Sequence, residues 1–317
     1  MTQTASSPRR AVIDWSLCRR VLSLGKRTQV MGVVNITPDS FSDGGLYLDP
    51  ASAVDHALKL LDDGADLLDL GAESTRPGSL AAAHSALSAG DEQSRLLPVL
   101  KAILRARPSA IISVDTYKSA TARAAIAAGA EIVNDVSGFT WDAKMAATCA
   151  ELGCGVVLMH TRGTPGEWRT QSRLQRNETL PLVRDGLAAG LVAAEEAGIS
   201  RNAIVLDPGY GFGKVLEENY DLLSRQGDLL SLGRPLLAGL SRKSFLVRTV
   251  QRAMESRRVV IGPDSQPDQS VSQDARETAS VAAMVTAILK GASIVRVHQV
   301  RSAVQAAAVA DAVLDGG

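Results

Sequence analysis

The chain has 317 residues, 45% hydrophobic and 21% charged, with a net charge of +0, so a large core is possible and a disordered chain is excluded. The charge balance leaves no basic footprint for nucleic acid and none for an anionic membrane, and no apolar run is long enough to cross a bilayer. Three cysteines, Cys18, Cys149 and Cys154, are too few for a disulfide framework and fit a reducing, cytoplasmic setting.

Residues 1–10 are polar, lack the apolar segment of a signal peptide and read as a flexible tail, leaving 11–317 as one domain. Ala11-Val12-Ile13 and Val21-Leu22-Ser23-Leu24 are strand-like, and Gly25-Lys26 is expected to turn the chain into a hairpin that plugs a barrel floor. MGVVNITPDSFSDGG, from Met31 to Gly45, starts as a strand covered on both faces and ends as a polar loop closed by glycines. Asn35 marks the strand end, and Phe41 is an aromatic in an otherwise polar loop. Asp49-Pro50 starts a helix that Gly64 ends. Leu67-Leu68-Asp69-Leu70 is the second strand, and GAESTRPG is its outlet loop.

The unit then repeats. Ile111–Val114 ends in Asp115-Thr116, Ile132-Val133 in Asn134-Asp135, and Val156–Met159 in His160. Ile204–Leu206 ends in Asp207-Pro208-Gly209, Leu236–Ala238 runs into Gly239–Ser244, and Ile294-Val295 leads into Arg296-Val297-His298. Helical stretches such as Ser119–Ala128, Leu182–Ala197 and Ala275–Leu289 lie between them. Eight strands alternating with helices predict a (β/α)8 TIM barrel with a short N-terminal β-hairpin. A doubly wound open sheet is the alternative, but it would gather its polar residues at one switch point. Ser79–Gly90 and Glu255–Gln273 interrupt the rhythm and read as surface loops.

The strand ends sort into two chemical sets. Asp115, Asn134, Asp207 and Lys243 suit a flat heterocycle rich in donors and acceptors. An ion-pair network that merely closes the barrel would use the same residue types. Asn35, Ser74, Thr75, Arg76, Arg296 and His298 suit a diphosphate, with Asn35 a hard oxygen ligand for Mg²⁺. Taken singly, Arg76 could be a solvated charge and His298 a structural histidine. His160 reads as packing, and His56 and His84 as surface. Gly209–Lys214 is similar to a phosphate-binding glycine loop but lacks its GK[ST] ending. No Ser-His or Cys-His pair suggests a covalent nucleophile.

MGVVNITPDSFSDGG, GAESTRPG, SVDTYK, VNDVSG, VLMH, LDPGYGFGK, LSRKSFL and IVRVH together resemble the ordered motifs of the dihydropteroate synthases and span nearly the whole barrel. The resemblance implies a transferase of folate biosynthesis that condenses 4-aminobenzoate with (7,8-dihydropterin-6-yl)methyl diphosphate, with Mg²⁺, in a homodimer. It implies Asp115, Lys243, Arg76 and His298 as catalytic. Asp115, Asn134, Asp207, Lys243 and Arg296 would hold the pterin. Asn35, Ser74, Thr75, Arg76, Arg296 and His298 would take the diphosphate, with the metal on Asn35. Phe41, Thr75, Pro77, Phe212, Lys243 and Ser244 would frame the aminobenzoate, the slot that sulfonamide inhibitors would share. A pterin-dependent methyltransferase would lack the diphosphate and aminobenzoate loops, and a non-catalytic pterin-binding paralogue would lose Lys243, Arg76 or His298. The chain keeps all of these. It departs from the family at Ser79–Gly90 and at Arg248–Gln273, both longer than usual; the second bears on dimerisation.

Overall fold

The computed structural model describes residues 10–36, 50–73, 87–168, 170–257 and 271–316. Strands β1 (Ile13–Ser16) and β2 (Val21–Leu24) form the antiparallel hairpin. The Leu17 amide donates to the Arg20 carbonyl at 2.9 Å, so the chain reverses at Leu17–Arg20 rather than at Gly25-Lys26. The cause is the bond pattern: Leu17 turns into the core while Arg19 and Arg20 pair with the buried Glu131. Gly25 serves the exit from β2. Its φ is +103°, and a Cβ there would lie 2.2 Å from the Ala11 carbonyl oxygen.

Eight parallel strands then close a barrel. They are β3 (Gln29–Asn35), β4 (Leu67–Gly71), β5 (Ile112–Asp115), β6 (Ile132–Asp135), β7 (Gly155–Met159), β8 (Ile204–Asp207), β9 (Leu236–Ala238) and β10 (Ala292–Val297). Each pairs with its neighbour in sequence, and β10 returns to β3. The outer layer contains α1 (Pro50–Asp62), α2 (Ala89–Ala106), α3 (Ser119–Ala127), α4 (Met145–Leu152) and α5 (Thr179–Glu196). It continues with α6 (Leu216–Ser224), α7 (Ser244–Ser256), α8 (Gln273–Leu289) and α9 (Val300–Asp315). The strands are covered by helices outside and by one another inside, which is why they read as unbroken apolar runs.

Boundaries move where caps decide them. Ser88 accepts from the Asp91 amide at 3.1 Å, so α2 already contains Ala89 and Gly90 of the expected loop. Ser272 accepts from the Ala275 amide at 3.2 Å and starts α8 at Gln273. Helix α7 takes in Glu255 and Ser256; positions 258–270 and 74–86 lie outside the described residues. Arg10, assigned to the tail from sequence, donates to Thr28 Oγ1 at 2.8 Å and pairs with Asp311.

The hairpin does plug the floor. Trp15, Leu17 and Leu24 pack with Met31, Leu67, Ile132, Val157, Val205, Leu237 and Ile294 inside the barrel. Trp15 is 0% exposed, and its Nε1 donates to the Ala203 carbonyl at 2.8 Å, just before β8. Cys149 and Cys154 are buried in the shell core, as read.

Candidate active site

Strand register puts the functional groups on one level. Asn35, Gly71, Asp115 and Asn134 stand side by side across β3 to β6 at the carboxyl ends of their strands. One level deeper, β4 carries Asp69, wholly buried in an otherwise apolar strand. Two donors converge on its Oδ2: Asn134 Nδ2 at 3.0 Å and Arg296 Nε at 2.6 Å. Arg296 also donates through Nη2 to Asp115 Oδ2 at 2.8 Å, so one guanidinium holds two carboxylates. Sequence reading passed over Asp69 as part of a strand. Its signal was there, because an acid inside a buried apolar strand must find a partner.

Burial lifts Asp115 from its ordinary 3.8 to about 7. The Arg296 charge offsets part of that rise, and the negative charge of Asp69 adds to it. The folded protein therefore keeps this proton up to about pH 7, whereas the unfolded chain releases it near 3.8. Stability from this group is fully present below the lower value and is lost as pH climbs through the higher one. Asp115→Asn should flatten the decline in stability between about pH 4 and pH 7. Urea midpoints of the two proteins across that window check it. Equal slopes would mean that Asp115 is not held protonated.

On the opposite wall, Asp207 ends β8 with its Oδ1 accepting the Gly209 amide at 2.7 Å. Burial raises its pKa, against the opposing pull of that bond and of the positive Lys243, Arg296 and Lys214. Lys243, at the entry to α7, lies with its Nζ 4.1 Å from the Phe212 ring centre. Trp168 meets Phe212 edge-on, with ring centres 5.1 Å apart. Arg242, next to Lys243, has a φ of +59°, and its amide donates to Ser280 Oγ at 2.9 Å. Such a conformation persists only where its surroundings enforce it.

The glycine loop after β8 is not a phosphate cradle. Lys214 is buried and donates to the carbonyls of Gly209 at 2.8 Å, His160 at 3.3 Å and Phe212 at 3.4 Å. Burial pushes it down to about 7. Gly209 has a φ of +68°, and a Cβ there would sit 1.9 Å from the His160 carbonyl oxygen. His160 itself is buried against Gly186. His298 follows β10, with its Nδ1 3.0 Å from Ser241 Oγ. Ser244 is exposed as the first residue of α7. Glu73 gathers Lys118, the Tyr117 hydroxyl at 3.3 Å and the Leu87 amide at 3.0 Å. Phe41, Ser74, Thr75, Arg76 and Pro77 lie outside the described residues.

Among the described residues no group of three or more His, Cys, Asp or Glu could hold a metal ion. Asn35 offers one hard amide oxygen level with Asp115. That fits an ion such as Mg²⁺, which retains water and takes substrate oxygens, and does not fit a closed protein cage.

A family model described as pterin binding enzyme matches residues 31–298. The dihydropteroate synthase of Mycobacterium leprae (strain TN) is 41% identical over 91% of this chain and 94% of its own length. The structure of Xanthomonas albilineans dihydropteroate synthase with 4-aminobenzoic acid is 38% identical, with a TM-score of 0.78 over 96% of this chain and 98% of that one. Yersinia pestis dihydropteroate synthase, in a sulfonamide drug complex, gives 34% identity and a TM-score of 0.81 over 96% of this chain and 100% of that one. With the closed barrel and acids at its strand ends, these likenesses place the chain in the pterin binding enzyme family, among the dihydropteroate synthases.

Proposed function

We propose that the barrel mouth condenses 4-aminobenzoate with (7,8-dihydropterin-6-yl)methyl diphosphate, giving 7,8-dihydropteroate and diphosphate in folate biosynthesis. One observation carries the reading. Two carboxylates, partly buried Asp115 and buried Asp207, end separate strands, with Arg296 bound to Asp115 and the Arg296 and Lys243 charges acting on Asp207. A heterocycle with several N–H groups is the ligand such acids suit. Asp115, Asn134, Asp207, Lys243 and Arg296 hold the pterin. Asn35, Ser74, Thr75, Arg76, Arg296 and His298 take the diphosphate. Phe41, Thr75, Pro77, Phe212, Lys243 and Ser244 frame the aminobenzoate.

The amine nitrogen forms a bond to the pterin methylene carbon. The carbon–oxygen bond breaks, its electron pair leaves with diphosphate, and the amine gives up one proton. Asp115, ionised once the pH passes about 7, stabilises positive charge on the pterin as that bond weakens, and Arg76 and His298 stabilise the leaving oxygens. Mg²⁺ held through Asn35 would supply Lewis-acid charge to the diphosphate. The three free thiols fit a cytoplasmic enzyme, and Val309 and Val313, exposed on α9, offer an apolar face to a second copy. No helix among the described residues is long and apolar enough to cross a membrane, and the neutral net charge favours no nucleic-acid partner. Incubation with both substrates and Mg²⁺ should yield equal amounts of dihydropteroate and diphosphate. Diphosphate released without dihydropteroate would refute the reading.

The Yersinia pestis relative is seen with a sulfonamide, an aniline whose polar group stands opposite the amine as in aminobenzoate. A sulfonamide should therefore compete with 4-aminobenzoate here. Lys243 is shared between the pterin and aminobenzoate sets, so filling the first should tighten the second. Titrations of the apo enzyme and of enzyme saturated with pterin and Mg²⁺-diphosphate check both points. Absence of competition would remove the slot, and equal affinities would remove the coupling.

A further inference from the structure

The geometry points to Asp69 as a positioning residue that sets which face Asn134 turns to the pterin and where Arg296 sits; this rests on the proposed pterin site. Asp69 is 0% exposed and, lying one level below Asp115 and Asn134, acts through its neighbours. A carboxylate can only accept, so Asn134 must spend its Nδ2 on Asp69 Oδ2, at 3.0 Å. That choice leaves Asn134 Oδ1 as the atom for a ligand, making Asn134 an acceptor for a heterocycle N–H. The same oxygen takes Arg296 Nε at 2.6 Å, and this aims the far end of the guanidinium at Asp115, 2.8 Å away. One buried oxygen thus orients an amide and a cation that come from β6 and β10.

The arrangement is poorly suited to stability alone. Asp69 Oδ1 is buried with no hydrogen-bond partner among the described residues, and so is Oγ of Ser113, its register neighbour on β5. An apolar residue in β4 would avoid an orphaned acceptor and a buried charge. The acid is accounted for by what it orients.

The test uses isotope-labelled full-length enzyme. In the wild-type apo protein the two Asn134 side-chain amide protons should give widely separated, slowly exchanging signals, assigned by their loss in Asn134→Asp. In Asp69→Ala those signals should converge, and (7,8-dihydropterin-6-yl)methanol should bind on the order of 30-fold more weakly, as misplaced orienting groups produce. Should Asp69→Ala fail to fold, Asp69→Leu carries the same test, because it fills the space and offers no acceptor to Asn134 or Arg296. The affinity lost on Asp69→Leu should be smaller in an Asn134→Ala background, since Asp69 acts in part through Asn134. A lowered melting temperature with unchanged pterin affinity in the folded protein would overturn the inference, as would equal losses in both backgrounds. A wild-type enzyme with the expected amide signals but no pterin binding would refute the pterin site and leave the orienting role of Asp69 standing.

Discussion

Asp207→Asn should leave the barrel folded and weaken pterin binding by about 3 kcal/mol or more, on the order of 100-fold. Oδ1 of Asp207 is committed to the Gly209 amide at 2.7 Å. An asparagine must keep its oxygen on that amide, because nitrogen cannot accept there. Its NH2 group then occupies the place of Oδ2 and meets a ligand N–H donor to donor. One charge-assisted bond is lost and a buried donor is left without an acceptor. Stability should not fall in parallel. Burial raises the Asp207 pKa, so its ionised form is disfavoured in the folded state, and a neutral amide escapes that penalty. Calorimetry with (7,8-dihydropterin-6-yl)methanol, beside urea unfolding of the same samples, separates the two effects. Wild-type affinity in a folded variant would show that Asp207 does not bind pterin.

Trp15→Ala should do the reverse, lowering stability by about 3–5 kcal/mol while sparing catalysis in whatever remains folded. Trp15 is wholly enclosed by the floor cluster, and its removal empties the space beneath the barrel. It also strips the Ala203 carbonyl of its donor. Ala203 immediately precedes β8, and Asp207 ends that strand. The two substitutions therefore probe opposite ends of one strand, roughly 10 Å apart at about 3.3 Å per residue. A denaturant series should show a lower midpoint with the slope kept. The KM values for both substrates should stay near wild type. A shift in KM with normal stability would contradict the assignment of the hairpin to support alone.

The strand ends were legible because a parallel strand covered on both faces is an apolar run, and the first polar residue after it marks the mouth. Asn35, Asp115, Asn134, Asp207 and Arg296 stand out on that rule, and each lies where it predicts. The rule is blind to what lies inside a strand. Asp69 sits between Leu68 and Leu70, and its partners come from residues far away in sequence, Asn134 and Arg296. Local turn chemistry misled at the hairpin. Gly25 drew attention as the reversal, yet Leu17–Arg20 turns without glycine or proline because Leu17 and the Glu131 ion pairs hold it. Lys214 looked like the lysine of a phosphate loop, and only burial shows it tying three carbonyls together. The positive φ of Arg242 has no signature in LSRKS, since the hydroxyl that accepts its amide hydrogen, Ser280 Oγ, belongs to α8.

The most direct measurement is a single turnover with a heavy-oxygen label in the oxygen that bridges the pterin methylene to the diphosphate. Enzyme, labelled pterin diphosphate, Mg²⁺ and 4-aminobenzoate are mixed, and the products are weighed by mass spectrometry. Attack of the amine on the methylene carbon predicts unlabelled 7,8-dihydropteroate and diphosphate that retains the label. Label recovered in a hydroxymethylpterin, with no dihydropteroate formed, would mean that the phosphorus–oxygen bond is cleaved instead and would contradict the assigned chemistry.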